Sequence, residues 1–275
     1  MRSGRKISCA TWLVAELLLA GGTASAAADL QQAGDRLTPI QREIEHQRQR
    51  LSSADIEERR DALMRLGNLR RPEASQVAAG ALSDAAPIIR ATAAHALGSL
   101  SSTGATTLLI PLLKDRTEFV RRETAYVLGE IGSKSAVIPL SESLLADKEA
   151  GVRGAAAVAL GQIRDETAVT ALSQALSGGA QPRKKKSKGS ENEFVMRAAA
   201  RSLGQIRSRA GLPVLISILE NEANPSDVRR EAASALGAIG DPSAASALRA
   251  ASGSKDPYLS KAAWTASRKL SSSRN

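Results

Sequence analysis

Aliphatic and small residues recur along this chain in a regular pattern. A Leu-Gly pair occurs six times, and the glycines of successive pairs are 31, 31, 32, 43 and 33 positions apart. An Ile or Val stands eight residues before the leucine in every copy except the first, which has Glu58, and another aliphatic residue lies two positions after each glycine. Such spacings place apolar residues on one side of a helix, so the pattern predicts one helix in each copy.

A second helix follows the first in each copy. In the last full copy, residues 228–240 predict the first helix, with Gly240 as the left-handed residue that ends it. Asp241 and Pro242 then supply an N-cap and a first-turn proline for the next helix. The second helix has its own apolar stripe, as at Ala136, Val137, Leu140, Leu144 and Leu145. Each copy is therefore a predicted helical hairpin, which buries both of its faces only by stacking on its neighbours.

Each Leu-Gly pair places a glycine inside a predicted helix. Glycine in that position costs about 1 kcal/mol relative to alanine, and this chain has it in all six copies. We predict that a neighbouring helix passes too close to each glycine for a side chain to fit. The glycines therefore indicate tight stacking of the copies, and we assign them no functional role.

This pattern resembles the HEAT repeat family, in the short form known from PBS-lyase-type proteins. The likeness is clearest in segments 120–132 and 136–140, and it extends over roughly residues 55–270. It implies an all-α fold, a right-handed α-solenoid of about six hairpins. Since most such proteins are recognition scaffolds, it implies no particular activity. The family's aspartate, six residues before an arginine, appears as Asp84 and Arg90, Asp115 and Arg121, and Asp147 and Arg153.

We interpret these aspartates and arginines as a structural ladder between repeats. An aspartate in a loop before a helix caps that helix and pairs with a nearby arginine, although a ligand site remains the alternative. Three aromatic residues share one register, just before the apolar residue that opens the first helix. This position predicts packing in the turn, and it argues against a platform for stacking bases; the residues are Phe119, Phe194 and Tyr258.

The first 28 residues have the features of an export signal. A basic segment precedes an apolar run over residues 7–20, and residues 24–26 read Ala-Ser-Ala, which matches a cleavage site. A run of about 14 residues is too short to cross a bilayer comfortably. We therefore expect a periplasmic or secreted protein. Glu16 lies inside the run, and an uncleaved anchor or a misassigned start codon is the alternative.

Residues 29–54 differ from the repeats. Thr38 and Gln41 form a predicted capping box with a proline between them, and the helix that they begin would cover the exposed side of the first repeat. A short coiled-coil dimer is the alternative, but fewer than three heptads are present. We expect a monomer whose repeats fill residues 55–270, followed by a frayed tail over 271–275.

The widest glycine spacing reveals an insertion over residues 178–190. It begins with Gly and Pro and then holds five positive charges in six positions. Such a cluster attracts anionic lipid, polysaccharide or nucleic acid, while a solvated loop without a partner is the alternative. No aromatic residue within the run is available to stack on bases. The candidate anion-binding residues are Arg183, Lys184, Lys185, Lys186 and Lys188.

The composition of the chain argues against most kinds of catalytic site. The chain has a net charge of +10, six aromatic residues, two histidines and one cysteine, which lies in the predicted signal. There is no glycine-rich phosphate loop and no His-Glu pair of the kind that holds two irons in deoxyhypusine hydroxylase. We expect no metal and no cofactor. The sequence thus predicts a non-catalytic scaffold for a protein partner, with an anionic-surface adaptor or a phycobilin-lyase-like enzyme as alternatives.

Overall fold

The computed structural model describes residues 37–178 and 190–272, where every α-helix belongs to one linear array and no strand is present. The helices run over α1 Pro39–Arg50, α2 Ile56–Asn68, α3 Pro72–Ala79, α4 Pro87–His95, α5 Ser102–Leu109, α6 Glu118–Ile131, α7 Val137–Ala146, α8 Ala150–Ile163, α9 Val169–Leu176, α10 Ser190–Ile206, α11 Leu212–Glu220, α12 Ser226–Ile239, α13 Ala245–Ala251 and α14 Pro257–Ser272.

Six consecutive hairpins, from α2–α3 to α12–α13, form the array. The first helix of each hairpin packs on the first helix of the next, and the second helices form a parallel row beside them. Helix α1 contacts the first hairpin, and α14 packs on the last. This arrangement is an α-solenoid, so the predicted fold is confirmed. None of the helices in the described ranges is long and apolar enough to cross a membrane.

The six repeated leucines form the spine of the core. Each is at most 1% exposed, because it points from a first helix toward the second helix of its own hairpin and toward the neighbouring repeat. Burial of one leucine side chain stabilises the fold by about 1.5–3 kcal/mol. The periodic leucines therefore hold both helices of a repeat and successive repeats together.

The repeated glycines mark the places where neighbouring first helices meet. A Cβ atom on Gly129 would lie 2.7 Å from the Cα of Ala159, and a Cβ on Gly204 would lie 2.8 Å from the Cα of Ala235. Both distances are far below van der Waals contact. The glycine of one first helix thus receives the small residue of the next, as the sequence predicts.

Gly67 and Gly98 are exceptions to this rule. A Cβ atom on Gly67 would make ordinary van der Waals contact, 3.4 Å from the Cα of Ala96, and one on Gly98 would have nothing within 4 Å. At Gly98 the reason is that α4 ends at His95 and the chain continues as a 3-10 turn over Ala96–Ser99, so the glycine no longer faces the next helix. The prediction of packing too close for a side chain is wrong at these two copies.

The first helices other than α4 end in two different ways. Gly132 and Gly240 have φ values of 72° and 78°, the left-handed conformation in which glycine is favoured. Arginines occupy the same conformation after other first helices: Arg70, Arg164 and Arg207 have φ values of 50°, 56° and 59°. The same helix end is therefore formed with and without glycine.

The two ends of the array differ from the repeats. Thr38 forms the capping box with Gln41, whose side chain accepts a bond from the Thr38 amide at 2.9 Å. Ile44 of α1 is buried against the first hairpin, whereas Ile40 is largely exposed. At the other end α14 continues to Ser272, two residues into the tail that the sequence predicted to fray. The predicted export signal lies outside the described residues.

Candidate functional site

A line of arginines and aspartates joins successive repeats beside the loops that enter each first helix. Arg90 donates two hydrogen bonds of 2.8 Å to the carboxylate of Asp115 in the next loop. Its third nitrogen reaches back to the backbone oxygen of Asp84, also at 2.8 Å. One guanidinium thus fastens the loop before its own repeat to the loop after it.

The same arrangement is repeated on either side. Arg121 donates to the carboxylate of Asp147 at 2.7 and 3.0 Å and to the backbone oxygen of Asp115 at 2.9 Å. Arg59 donates to the carboxylate of Asp84 at 3.1 and 3.3 Å. Arg59 was missed in the sequence because Glu58 breaks the aliphatic pattern beside it. Each carboxylate therefore pairs with the arginine of the preceding repeat, while the arginine six residues later binds its backbone oxygen.

The aspartates also hold the turns that begin the first helices. The carboxylate of Asp115 accepts the Thr117 amide at 2.8 Å, and that of Asp147 accepts the Glu149 amide at 2.9 Å. Burial acts to raise the pKa of Asp115, but hydrogen bonds from Arg90 and Thr117 outweigh it and leave that pKa below its usual value. The hydrogen bond to Asp147 raises the pKa of Arg121.

The ladder stops at the insertion. Arg153 is 4% exposed, and it donates to the backbone oxygens of Asp147 and Lys148 at 3.0 and 3.1 Å. It has no carboxylate partner among residues 37–178 and 190–272. In the following repeat Ser190 stands at the aspartate position and Met196 at the arginine position. The ladder is consequently confined to the first four repeats.

An open recess lies between the second helices of the second and third repeats. Its volume is about 550 Å³. The wall combines apolar side chains with charges of both signs, and it includes two ladder aspartates and Arg121. The lining residues are Ile110, Leu113, Lys114, Asp115, Arg121, Pro139, Glu142, Ser143, Ala146, Asp147 and Lys148.

A second recess of about 670 Å³ lies at the start of the array, between α1 and α3. Ile44, Leu51 and Val77 contribute its apolar surface, and Arg48 and Glu73 contribute charges. This recess adjoins the N-terminal helix, whereas the recess between α5 and α7 lies between two repeats.

The side chains that could bind a metal or take part in catalysis are dispersed. His95 is exposed at the end of α4, with Glu123 3.4 Å away. No group of three or more His, Cys, Asp or Glu side chains in the described part of the chain is arranged to hold a metal ion. Of the aromatic residues, Phe194 packs over Gly154, whereas Tyr258 is 69% exposed, so the prediction that Tyr258 packs in a turn is wrong.

The HEAT repeat model matches this chain over residues 44–126, 106–187 and 187–267. The chain belongs to the HEAT repeat family. Escherichia coli YibA is 17% identical to this HEAT repeat protein, with 98% of this chain and 99% of that one covered and a TM-score of 0.55. That likeness shows the shared fold. No curated protein matches the sequence.

Two further solved structures resemble the HEAT repeat chain more distantly. The complex of CpcE and CpcF of phycocyanin lyase from Nostoc is 24% identical, with coverage of 86% and 95% and a TM-score of 0.48. Human deoxyhypusine hydroxylase is 21% identical, with coverage of 84% and 96% and a TM-score of 0.41. The basic cluster that the sequence singled out, Arg183 to Lys188, lies outside the described residues.

Proposed function

We propose that this HEAT repeat protein is an exported, non-catalytic scaffold that holds a protein partner in the recess between α5 and α7. The observation that carries the proposal is the composition of that recess. The recess is lined by apolar side chains, among them Ile110, Leu113 and Pro139, together with charges of both signs. Protein interfaces combine an apolar centre with a polar rim in this way.

The rim adds a further reason to expect a partner. Ile138 is 72% exposed on α7, four residues before Glu142 and therefore beside it on the helix surface. A large aliphatic side chain next to an apolar recess extends the surface that a partner would cover. Lys114 and Lys148 line the same recess as Glu142, so the partner would present charges of both signs.

The non-catalytic part of the proposal rests on the sequence. The whole chain has two histidines, and its single cysteine belongs to the predicted export signal. Export to the periplasm or the exterior rests on residues 1–28. A lyase-like activity is the competing function, and turnover of a bilin by the purified protein would overturn the scaffold proposal.

A paired set of variants tests the recess. The recess variant is Ile138→Asp with Glu142→Lys, and the control is Met64→Asp with Glu220→Lys. Met64 and Glu220 are both exposed, and the control makes the same chemical changes at these positions, on a first helix and on a distant second helix. Each chain is used to capture proteins from the cell envelope of the source organism. The captured protein is then purified and titrated with each chain by calorimetry.

We expect the parent and the control to bind the purified partner equally and the recess variant to bind at least tenfold more weakly. Equal binding by the recess variant contradicts the proposal. A chain that lacks residues 181–189 should bind as the parent does. If instead that deletion abolishes binding and the recess variant does not, the adaptor function of the basic loop is supported over the recess.

A further inference from the structure

The last helix presents an outward face that no other helix in the described ranges covers. Helix α14 buries one side against the last hairpin, through Leu259, Ala263, Ala266 and Leu270, all at most 5% exposed. A helical period of 3.6 residues places Lys261, Trp264, Thr265 and Arg268 on the other side. All four are exposed. We call these four residues the outer face of α14.

The segment that carries this face has a net positive charge. Residues 242–272 contain five Lys or Arg side chains and a single carboxylate, Asp256. That carboxylate accepts the amides of Tyr258 and Leu259 at 2.9 and 3.1 Å, so it serves the start of α14. The face is therefore locally basic, because the one carboxylate of this segment is hydrogen-bonded to the backbone at the start of α14.

Three cations of this region have no carboxylate partner among the described residues. Arg201 and Arg209 on the neighbouring repeat are paired with carboxylates at 2.7 and 3.0 Å. In contrast, Arg249, Lys261 and Arg268 make no ion pair with any carboxylate in the described residues. Their charges are available to an anionic partner.

Two aromatic side chains accompany these cations. Trp264 is 53% exposed, and the guanidinium carbon of Arg268 lies 4.8 Å from its ring centroid. Tyr258 is 69% exposed, with Arg230 at 6.0 Å from its ring. Half-exposed Trp and Tyr beside Lys and Arg are typical of proteins that rest in the headgroup region of a membrane.

A small cavity adjoins Trp264. Its volume is about 270 Å³, and Arg249 and three serines line it together with the indole ring. One of these serines, Ser267, has a buried hydroxyl with no hydrogen-bond partner in the described part of the structure. A buried hydroxyl without a partner is unfavourable. A hydrogen-bond acceptor held beside the Arg249 guanidinium would satisfy both groups.

We propose that the outer face of α14 and the adjoining cavity bind the phosphate headgroups of an anionic membrane. The unpaired cations supply the attraction, Trp264 supplies an interfacial anchor, and Ser267 with Arg249 supplies a seat for one phosphate. A single exposed helix suits a membrane plane better than a nucleic-acid strand, which needs a groove that tracks its backbone. The site is separate from the recess between α5 and α7, so each proposal can fail without the other.

The sequence makes Trp264 a direct reporter of this contact. The full chain has two tryptophans, so the variant Trp12→Phe leaves Trp264 alone. We would titrate this chain with vesicles of pure phosphatidylcholine and with vesicles containing 30% phosphatidylglycerol. Only the anionic vesicles should move the Trp264 emission to shorter wavelength, and high salt should reverse the shift. Neutral vesicles control for any attachment through the N-terminal apolar run.

Charge variants then locate the site. In the same chain, Arg249→Gln, Lys261→Gln and Arg268→Gln together should weaken binding to the anionic vesicles roughly 100-fold, as three lost surface charges predict. The matched control replaces Arg42, Arg71 and Arg116 with Gln, three exposed cations that lie outside both proposed sites. It should keep binding within a few-fold of the parent. Circular dichroism verifies that both variants fold.

Three results would overturn the proposal. The first is the absence of an emission shift with anionic vesicles. The second is a shift of equal affinity in the parent and the α14 triple variant. The third is loss of the shift on deletion of residues 181–189 with no effect of the α14 variant, which would assign the contact to the basic insertion. Binding of an oligonucleotide by this face with no vesicle contact would likewise replace the membrane with nucleic acid.

Discussion

The guanidinium of Arg90 and the carboxylate of Asp115 are 25 residues apart in sequence and share two hydrogen bonds of 2.8 Å. Both side chains are almost fully buried at the junction of two repeats. Since the second helix of the repeat separates them along the chain, this pair forms only when the two repeats are stacked. The pair therefore reports on stacking directly.

Removal of one member of this pair should be costly. Arg90→Met leaves the Asp115 carboxylate buried without its partner, and we expect a loss of about 3 kcal/mol in the free energy of unfolding. Urea denaturation followed by circular dichroism measures it. Lys114→Met, an exposed residue next to Asp115 without an ion pair in the described residues, should change the same quantity by less than about 0.5 kcal/mol. Equal effects of the two changes would contradict the ladder.

The ladder also predicts a dependence on pH. The pKa of Asp115 is lower in the folded chain than in the unfolded chain, where it is about 3.9. Its contribution to stability is therefore complete above that unfolded value, and it is lost as the pH falls through the folded value. Asp115→Asn should be less stable than the parent at pH 6, and the difference should shrink below about pH 4. Parallel denaturation curves at every pH would refute this.

The glycines provide a matched pair. Gly129→Ala places a Cβ atom 2.7 Å from the Cα of Ala159, and we expect it to destabilise the fold by about 1–3 kcal/mol through displacement of α8. Gly98→Ala meets nothing within 4 Å, and it should be neutral or slightly stabilising because it restricts the unfolded chain. Thermal melting of both variants distinguishes them. A similar fall in melting temperature for both variants would contradict the account in which the contact with α8 is what requires glycine at position 129.

The left-handed helix ends provide a second pair. Arg164 has a φ of 56° where Gly132 has 72°. A left-handed conformation costs a non-glycine residue about 1–2 kcal/mol, and substitution by glycine removes this cost. Part of that gain in stability is offset, because glycine also gives the unfolded chain more conformational freedom. We therefore expect Arg164→Gly to raise the free energy of unfolding by about 0.5–1 kcal/mol and Gly132→Arg to lower it by a similar amount. Changes of the same sign in both would contradict this account.

The sequence predicts the stacked hairpins well because one leucine and one glycine per copy carry most of the packing. Local exceptions are beyond it. Nothing in the Leu97-Gly98 copy distinguishes its 3-10 turn from the α-helices of the other copies. Arg59 escaped notice because its neighbour Glu58 replaces an aliphatic residue, although its partner Asp84 is in register.

The two candidate surfaces are harder to predict for a physical reason. The recess between α5 and α7 is a gap between helices that are far apart in sequence, and its shape depends on how closely two repeats stack. The register of Tyr258 matches that of Phe194, yet Tyr258 is 69% exposed and Phe194 is 44% exposed. Phe194 lies over Gly154 of the preceding first helix, whereas Arg230 stands at the corresponding position beside Tyr258. The residue on the preceding helix, which the register of the aromatic residue does not reveal, differs between the two copies.

The confinement of the arginine ladder to the first four repeats has a mechanical consequence. At the junction of the fourth and fifth repeats, the buried link is a neutral hydrogen bond of 2.7 Å from Ser202 to the backbone oxygen of Ala157, and Met196 takes the place of the arginine. The junction of the fourth and fifth repeats therefore lacks the buried ion pair that joins each earlier pair of repeats. If these ion pairs govern how firmly repeats are held together, a partner that pulls on both sides of this junction should open it first, and the amide hydrogens of α10 and α11 should exchange faster than those of α6 and α8.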